Sequence, residues 1–422
     1  MKIVICTMGS RGDVEPYIAL GSELAKLGYI IYISAPIVYQ TLVEDANLNY
    51  LAMNAVNPQD MMKIPEIEQA FASGKKIKPL LLLMKKSKPV ISEFLKEMFK
   101  NTQGMDAVIA SMILYGAYDG AEKQGIPCIY TLLNPAVPTR EFPTVLAPHI
   151  PRFLYKRSHR FLEKSFWLAF KKTCNRLRTT EWNLKKLACC PINVLRENHV
   201  PTFLGYSEAI LPKPKDWSNN EIITGYWQSN FKPKYKPDSK LIEFLDYGNR
   251  RPIYIGFGSM PIGNVNELLD LIKEALCASH ERAIVFLGYN KTVHLEHNEQ
   301  IFLIDSIPHS WLFPRVAATV IHGGAGTCAA SLRAGKPTIV IPFMGDQFFW
   351  GEQIYKQGAG PKPIPYKLLN ALKLTESINE ATNNRQIIEN AEHIGKALRV
   401  ENGAAFAAEK INLYLHNQDI NI

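Results

Sequence analysis

The chain has 422 residues, too many for one ordinary hydrophobic core and suited to two domains of about 200 residues each. Hydrophobic residues make up 47% and charged residues 21%, which excludes a disordered chain, and no stretch approaches the roughly twenty uninterrupted apolar residues of a membrane helix. A formal net charge of +9 admits a nucleic acid, an anionic membrane surface or an anionic nucleotide as partner, but neither basic stretch, Lys75 to Lys88 or Arg152 to Lys186, contains a nucleic-acid-binding module.

Lys2 to Thr7 is apolar and β-branched and predicts a first strand; its run of about six residues before Gly9 is too short for a secretory signal. A loop with Gly9 and Gly12 leads to Asp13-Val14-Glu15-Pro16, a helix opening, and Ile18, Leu20, Leu24 and Leu27 continue a helical stripe to Gly28. With the strand Tyr29 to Ser34 this makes one βαβ unit that places Asp13 at its crevice edge, where the residue also reads as a helix N-cap. Asp106 to Met112 and Pro127 to Leu133 are further strands around a helix ending at Gly125, and this alternation predicts a parallel sheet. Alternation is lost between Pro36 and Asp106 and between Asn134 and Pro191, the regions expected to carry ligand specificity. In the long helical region Arg152 to Leu187, Phe153, Phe161, Phe166, Trp167 and Phe170 alternate with Lys and Arg. Its apolar face covers the N-terminal domain or lines an apolar site; the alternative is contact with an anionic membrane. Seven cysteines, an odd number without metal-type spacing, predict reduced thiols in a cytoplasmic protein.

From Leu211 to Pro237 the chain is polar and Pro-rich, which predicts an interdomain linker, and Pro252 to Met260 opens a second domain as a strand with a Gly-Ser loop. Ala317 to Ile321 is a buried strand that His322-Gly323-Gly324-Ala325-Gly326-Thr327 must end. A short helix then stops at Gly335, and a second strand runs to Pro342. Such a strand, Gly loop, helix, strand unit turns free N–H groups and the helix dipole toward a phosphate or diphosphate, with His322 and Thr327 as side-chain donors; a Gly-rich helix start without a ligand is the alternative. Asp346 and Gln347 fall on the same edge, and a carboxylate beside an amide suits sugar hydroxyls; Asp346 also reads as a helix cap.

GSRGDVEP at residues 9 to 16, HGGAGT at 322 to 327, the following RAG with its Pro, and PFMGDQFFWG at 342 to 351 resemble the UDP-dependent glycosyltransferases of family one, in the branch holding sterol and antibiotic glucosyltransferases. The resemblance implies an α/β GT-B fold, two Rossmann-like domains facing each other across a cleft. It assigns residues 1–215 to an acceptor-binding domain, 216–250 to a linker, 251–400 to a nucleotide-sugar-binding domain and 401–422 to a helix crossing back. It implies that Asp13 is the catalytic base and that Ser10, Ser259, Ile307, His309, His322, Gly324, Ala325, Gly326, Thr327, Asp346 and Gln347 bind the donor, without a metal and with no cofactor beyond the UDP-sugar co-substrate. Two positions depart from the family: Ser306 stands where many members have a Trp near the uracil, and Ile321 where the branch often has a second His. The implied activity is inverting transfer of a hexose, expected to be glucose from UDP-glucose, to a hydroxyl of an apolar acceptor such as a sterol or lipid. A polyketide, glycopeptide or other secondary metabolite is the alternative acceptor, and a catalytically inactive nucleotide-sugar-binding protein is the alternative of another class. A cytoplasmic location, peripheral at a membrane through residues 152–187, and no nucleic-acid partner complete the expectation.

Overall fold

The computed structural model describes residues 1–55, 90–111, 113, 115–228, 235–258, 260, 262–288, 299–305 and 307–416. The basic stretch Lys75 to Lys88, Ser259 and Ser306 lie outside them. Two compact units result, one from the described residues up to 228 together with 402–416, the other from residues 235–401.

In the first unit, β1 (Lys2–Cys6), β2 (Ile30–Pro36), β3 (Asn49–Met53), β4 (Ala107–Ala110), β5 (Cys128–Leu132), β6 (Thr202–Leu204) and β7 (Glu221–Ile223) form one sheet in the order β3-β2-β1-β4-β5-β6-β7. Every pairing in it is parallel, with Ile3 opposite both Ile31 and Ala107. Ile3, Val4, Ile5 and Cys6 are all fully buried, which is why β1 reads as a continuous apolar run and not as an alternating one. The order reverses between β1 and β4, so loops leaving the carboxyl ends of these strands diverge and open a crevice there. β7 lies inside the Pro-rich passage predicted to be a linker. Three buried residues pairing with β6 give no periodic signal against their polar flanks.

The helix Arg11–Lys26 begins two residues ahead of the predicted opening at Asp13, with Ser10 at the N-cap position and Pro16 inside its second turn. Its buried face, including Val14, Tyr17 and Ile18, shares a core with Ala404, Ala407, Ala408 and Ile411 of the helix Gly403–Leu415. Small residues on the latter let the two helices approach closely, and Tyr29 closes the contact by donating to Asn412 Oδ1 at 2.6 Å. The helix Tyr155–Thr180 is held from below by buried Trp167, Cys174, Leu177 and Arg178. Arg178 donates to Asp119 Oδ1, and to Glu122 Oε1 at 2.8 Å, both on the helix Tyr115–Gln124, while Cys174 Sγ donates to Asp119 Oδ2 at 3.1 Å.

The second unit repeats the scheme with β8 (Ile253–Gly256), β9 (Ala283–Phe286), β10 (Ile301–Leu303), β11 (Thr319–Ile321) and β12 (Thr338–Val340), in the order β10-β9-β8-β11-β12 and again parallel. The reversal falls between β8 and β11, the strands that lead into the Gly258 and His322 loops. Helices Val265–Ser279 and Ala371–Asn383 bury Leu269, Ile272, Leu374 and Ile378 in the core of this sheet. Five of the seven cysteines are buried and all are free thiols, and no helix among the described residues is long and apolar enough to cross a membrane.

Candidate active site

Each unit carries part of the predicted machinery at the reversal point of its own sheet. In the first, β1 runs into Thr7, whose buried N–H donates to Ser34 O at 2.9 Å and whose hydroxyl donates to Asp13 O at 2.7 Å. Gly9 follows with φ +130°, and a Cβ there would lie 2.4 Å from Asp13 Oδ2, so only glycine lets the carboxylate fold back against the loop. Asp13 is the third residue of the helix, not its cap: its N–H donates to Ser10 O, and its Oδ2 accepts from both the N–H and the hydroxyl of Ser10 at 2.8 Å each. The second oxygen, Oδ1, accepts no hydrogen bond from any described residue. Burial pushes the Asp13 carboxyl above its ordinary range, and the two bonds from Ser10 offset part of that rise. Half of the carboxylate is thus fixed and half is open, in a poorly hydrated setting that raises its basicity. The Ser10 hydroxyl donates its hydrogen bond to Asp13, which leaves its oxygen an acceptor toward anything else.

In the second unit, the helix Ala325–Arg333 begins three residues ahead of the predicted start at Cys328, with Gly324 in the N-cap position. The glycines argue against helix in a propensity reading, but at a terminus they cost little and their lack of a side chain keeps the end open. Ala325, Gly326 and Thr327 therefore lie in the first turn, where backbone N–H groups have no intrahelical acceptor; Cys328 N is the one that bonds back, to Gly324 O at 2.9 Å. Three hydroxyls pin this helix to the sheet: buried Ser331 shares hydrogen bonds with Thr319 on β11 at 2.6 Å and Thr338 on β12 at 2.7 Å.

His322 sits between two glycine backbones. A Cβ on Gly258, where φ is +61°, would lie 3.2 Å from its Cε1, and one on Gly324 would lie 2.6 Å from its Nε2. Its Nδ1 is buried without a hydrogen-bond partner among the described residues, and desolvation lowers the imidazole from 6.5 to about 4, so the ring is neutral near pH 7 and carries one N–H. Gly323, at φ +91°, would place a Cβ 2.6 Å from Val340 Cγ1 and 3.0 Å from Gln347 O, which sets the loop after β12 directly against the His322 loop.

That second loop holds Asp346 and Gln347. Asp346 occupies the N-cap position of the helix Gln347–Lys356 without a side-chain capping bond; its Oδ2 accepts from the indole N–H of fully buried Trp350 at 3.1 Å. Gln347 is buried, its Oε1 accepting from Phe343 N at 2.8 Å and Met344 N at 3.1 Å, while its amide nitrogen donates to Met260 Sδ at 3.2 Å. A thioether is a weak acceptor, so a better acceptor takes this amide N–H from Met260 at small cost. Half-buried Ile307 precedes His309, which stacks on Phe313 with ring centres 4.3 Å apart and meets Tyr254 edge-on at 5.9 Å. Trp311 is engaged in packing, with the Arg315 guanidinium 4.3 Å above its ring and Tyr235 edge-on at 5.1 Å.

The structure thus brings His322, Gly324, Ala325, Gly326, Thr327, Asp346 and Gln347 together on adjoining loops of one unit, and Asp13 with Ser10 in one loop of the other. It adds Thr7, Tyr39, whose hydroxyl donates to Gly9 O at 3.2 Å, and Gly258, which sequence reasoning missed. The Gly-Phe-Gly that ends β8 and opens its loop was the available signal for Gly258; a lone Thr and a lone Tyr carry none. No cluster of three or more His, Cys, Asp or Glu side chains placed for a metal occurs among the described residues.

A family model described as the glycosyltransferase family 28 N-terminal domain matches residues 3–143, and one described as the erythromycin biosynthesis protein CIII-like C-terminal domain matches residues 274–405. The chain is 32% identical over 426 residues to a sterol 3-beta-glucosyltransferase of Arabidopsis thaliana, covering 98% of this chain and 68% of that one. It is 31% identical to a sterol 3-beta-glucosyltransferase of Yarrowia lipolytica, covering 97% of this chain and 28% of that longer one. Among solved structures, the glycotransferase of kitacinnamycin aligns with a TM-score of 0.70 at 14% identity, over 98% of this chain and 99% of that one. The calicheamicin glycosyltransferase aligns at 0.69 and 14%, over 99% and 98%. Two doubly wound parallel sheets, each with its motif at the reversal point, and this likeness over nearly the whole chain agree: the protein belongs to the family-one UDP-dependent glycosyltransferases of the GT-B fold, in the branch that holds the sterol and antibiotic glucosyltransferases, and is a hexosyltransferase.

Proposed function

We propose that the protein transfers glucose from UDP-glucose to the hydroxyl of a sterol or similarly apolar lipid, with inversion at the anomeric carbon and without a metal ion. The observation that carries the chemistry is the divided carboxylate of Asp13, one oxygen held by Ser10 and the other uncommitted. Oδ1 takes the proton of the acceptor hydroxyl as that oxygen forms its bond to the anomeric carbon. The bond from that carbon to the UDP oxygen breaks on the opposite face, and UDP leaves with the electron pair. The charge that gathers on its diphosphate meets the first-turn N–H groups of Ala325, Gly326 and Thr327 and the N–H of His322, donors already aligned before the reaction. A neutral imidazole suits this role, since it donates without holding product UDP as tightly as a cation would. Asp346 and the Gln347 amide orient the sugar hydroxyls. The apolar acceptor is supported by the sterol glucosyltransferases that the chain matches along 98% of its length.

The test is incubation of the purified protein with UDP-glucose and a panel of sterols, other lipids and polyphenols, with product read by mass spectrometry and anomeric configuration by NMR. A β-linked sterol glucoside, formed equally well with a chelator present, is expected. Transfer only to polyphenols would reassign the acceptor, and retention of configuration would remove Asp13 from the base role.

A further inference from the structure

The helix Tyr155–Thr180 and the turn before it present an outward stripe whose chemistry the transfer reaction does not use. Along it Phe153 is 76% exposed, Phe161 74% and Leu168 58%, large apolar side chains left in water on an element whose opposite face is firmly packed. At a pitch of 100° per residue, Arg157, Arg160, Phe161, Lys164, Leu168, Lys171 and Lys172 fall within about a third of the helix circumference, and no acid lies among them. At its N-terminal end the stripe opens into a surface cavity of about 810 Å³ lined by Arg140, Arg152, Phe153, Lys156, Arg157 and Arg160. Lys156 pairs with Asp216 at 3.2 Å, whereas the four arginines have no acidic partner among the described residues.

We propose that this stripe docks the protein on an anionic lipid bilayer, with Phe153, Phe161 and Leu168 entering the interface and the arginines and lysines around them binding lipid phosphates and carboxylates. Uncompensated cations and exposed apolar side chains on one helical face fit a surface that is itself anionic at the headgroups and apolar just beneath. A second copy of this chain would bring the same cations face to face, and a nucleic acid would leave an aliphatic Leu168 and two outward phenyl rings without apolar cover. The inference goes beyond the proposed reaction and does not depend on it.

The experiment is co-sedimentation of the full chain with phosphatidylcholine vesicles with and without phosphatidylserine, at low and high salt, beside analytical ultracentrifugation of the protein alone. The wild type is expected to bind the phosphatidylserine vesicles, to release at high salt and to ignore pure phosphatidylcholine. Arg157→Glu/Arg160→Glu is expected to weaken binding by about 25-fold or more, since each cation near such a surface contributes about fivefold. Phe153→Ser/Phe161→Ser is expected to weaken it at both salt concentrations. Unchanged melting temperatures would show that both variants fold, and hydrogen exchange on the bound wild type adds a readout independent of mutation, with slowing expected at residues 152–172. Absence of binding, protection confined to another segment, folded variants that bind like the wild type, or a wild-type dimer dispersed by the Phe substitutions would each overturn the proposal.

Discussion

In the proposed reaction Asp13 serves the helix and the chemistry together. Its Oδ2 closes a capping box with Ser10, and the same two bonds hold Oδ1 in a fixed direction. Because burial raises its pKa, the folded protein holds this proton to higher pH than the unfolded chain does, so ionisation of Asp13 lowers stability as pH rises above the ordinary carboxylate range. Asp13→Asn keeps an acceptor for Ser10 and removes the charge. It is expected to cut kcat by about 10²- to 10⁴-fold with the KM for UDP-glucose unchanged. Its melting temperature at pH 7 should be no lower than wild type, and a clear fall there would mean that the charge stabilises the loop. His322 gives the opposite case. Its folded pKa of about 4 lies below the ordinary 6.5, so between these values the unfolded chain binds the extra proton; stability is complete above about pH 6.5 and is lost as pH falls toward 4. The loss amounts to about 3 kcal/mol at most. Urea titrations of His322→Phe across that window should show a flatter pH dependence than wild type, and parallel curves would show that the imidazole is hydrated in the folded state. His322 and Asp13 were legible in the sequence because local motifs surround them. Gly258 was legible only as part of a Gly-Ser loop; its need for glycine comes from the imidazole that follows β11, brought close only by the pairing of β8 with β11.

At the scale of elements, the sequence showed strands such as β1 and β12 clearly, since they are apolar runs bounded by glycine or proline. It missed β7 and placed the helix Ala325–Arg333 three residues late, because a three-residue buried strand has no period and glycines at a helix start look like loop. The tie between the helices Tyr115–Gln124 and Tyr155–Thr180 was equally hidden: Arg178 and Asp119 stand 59 residues apart and meet only in the fold. Both are essentially without exposure, and Arg178 further bonds Glu122 at 2.8 Å. Burial holds the Asp119 carboxyl up at about 6 even beside the guanidinium, a sign of how little water reaches it. Arg178→Met, which leaves that carboxylate alone, is expected to destabilise the protein by about 3–5 kcal/mol, whereas Arg178→Met/Asp119→Leu should recover most of the loss because no unpaired charge remains. Denaturant titrations of the three proteins decide the matter; a double variant as unstable as the single one would show that the pair also positions the helices.

At the scale of the whole molecule, the two sheets share one winding scheme, and the chain re-enters the first unit at residue 402 after finishing the second at 401. The point of return is tight: a Cβ on Gly403 would lie 2.4 Å from the carbonyl carbon of Gly225, so the helix Gly403–Leu415 starts where only glycine fits. Beyond it Ala404, Ala407, Ala408 and Ile411 are buried in the core that holds Val14, Tyr17 and Ile18. Ending the chain after Glu401 removes those four side chains and uncovers the helix that presents Asp13. By apolar area the loss is about 5 kcal/mol, the isoleucine supplying the largest share. For a unit of this size that corresponds to a fall of about 10–20 °C in the melting of the first unit. The His322 to Thr327 loop, with its helix pinned by Thr319, Ser331 and Thr338, belongs wholly to the second unit and keeps its hydrogen bonds. The truncated chain should therefore melt early in its first unit and still gain stability from added UDP, as read by calorimetry with and without the nucleotide. Melting at the wild-type temperature would show that the first core closes without this helix, and loss of the UDP effect would show that nucleotide binding needs the first unit intact.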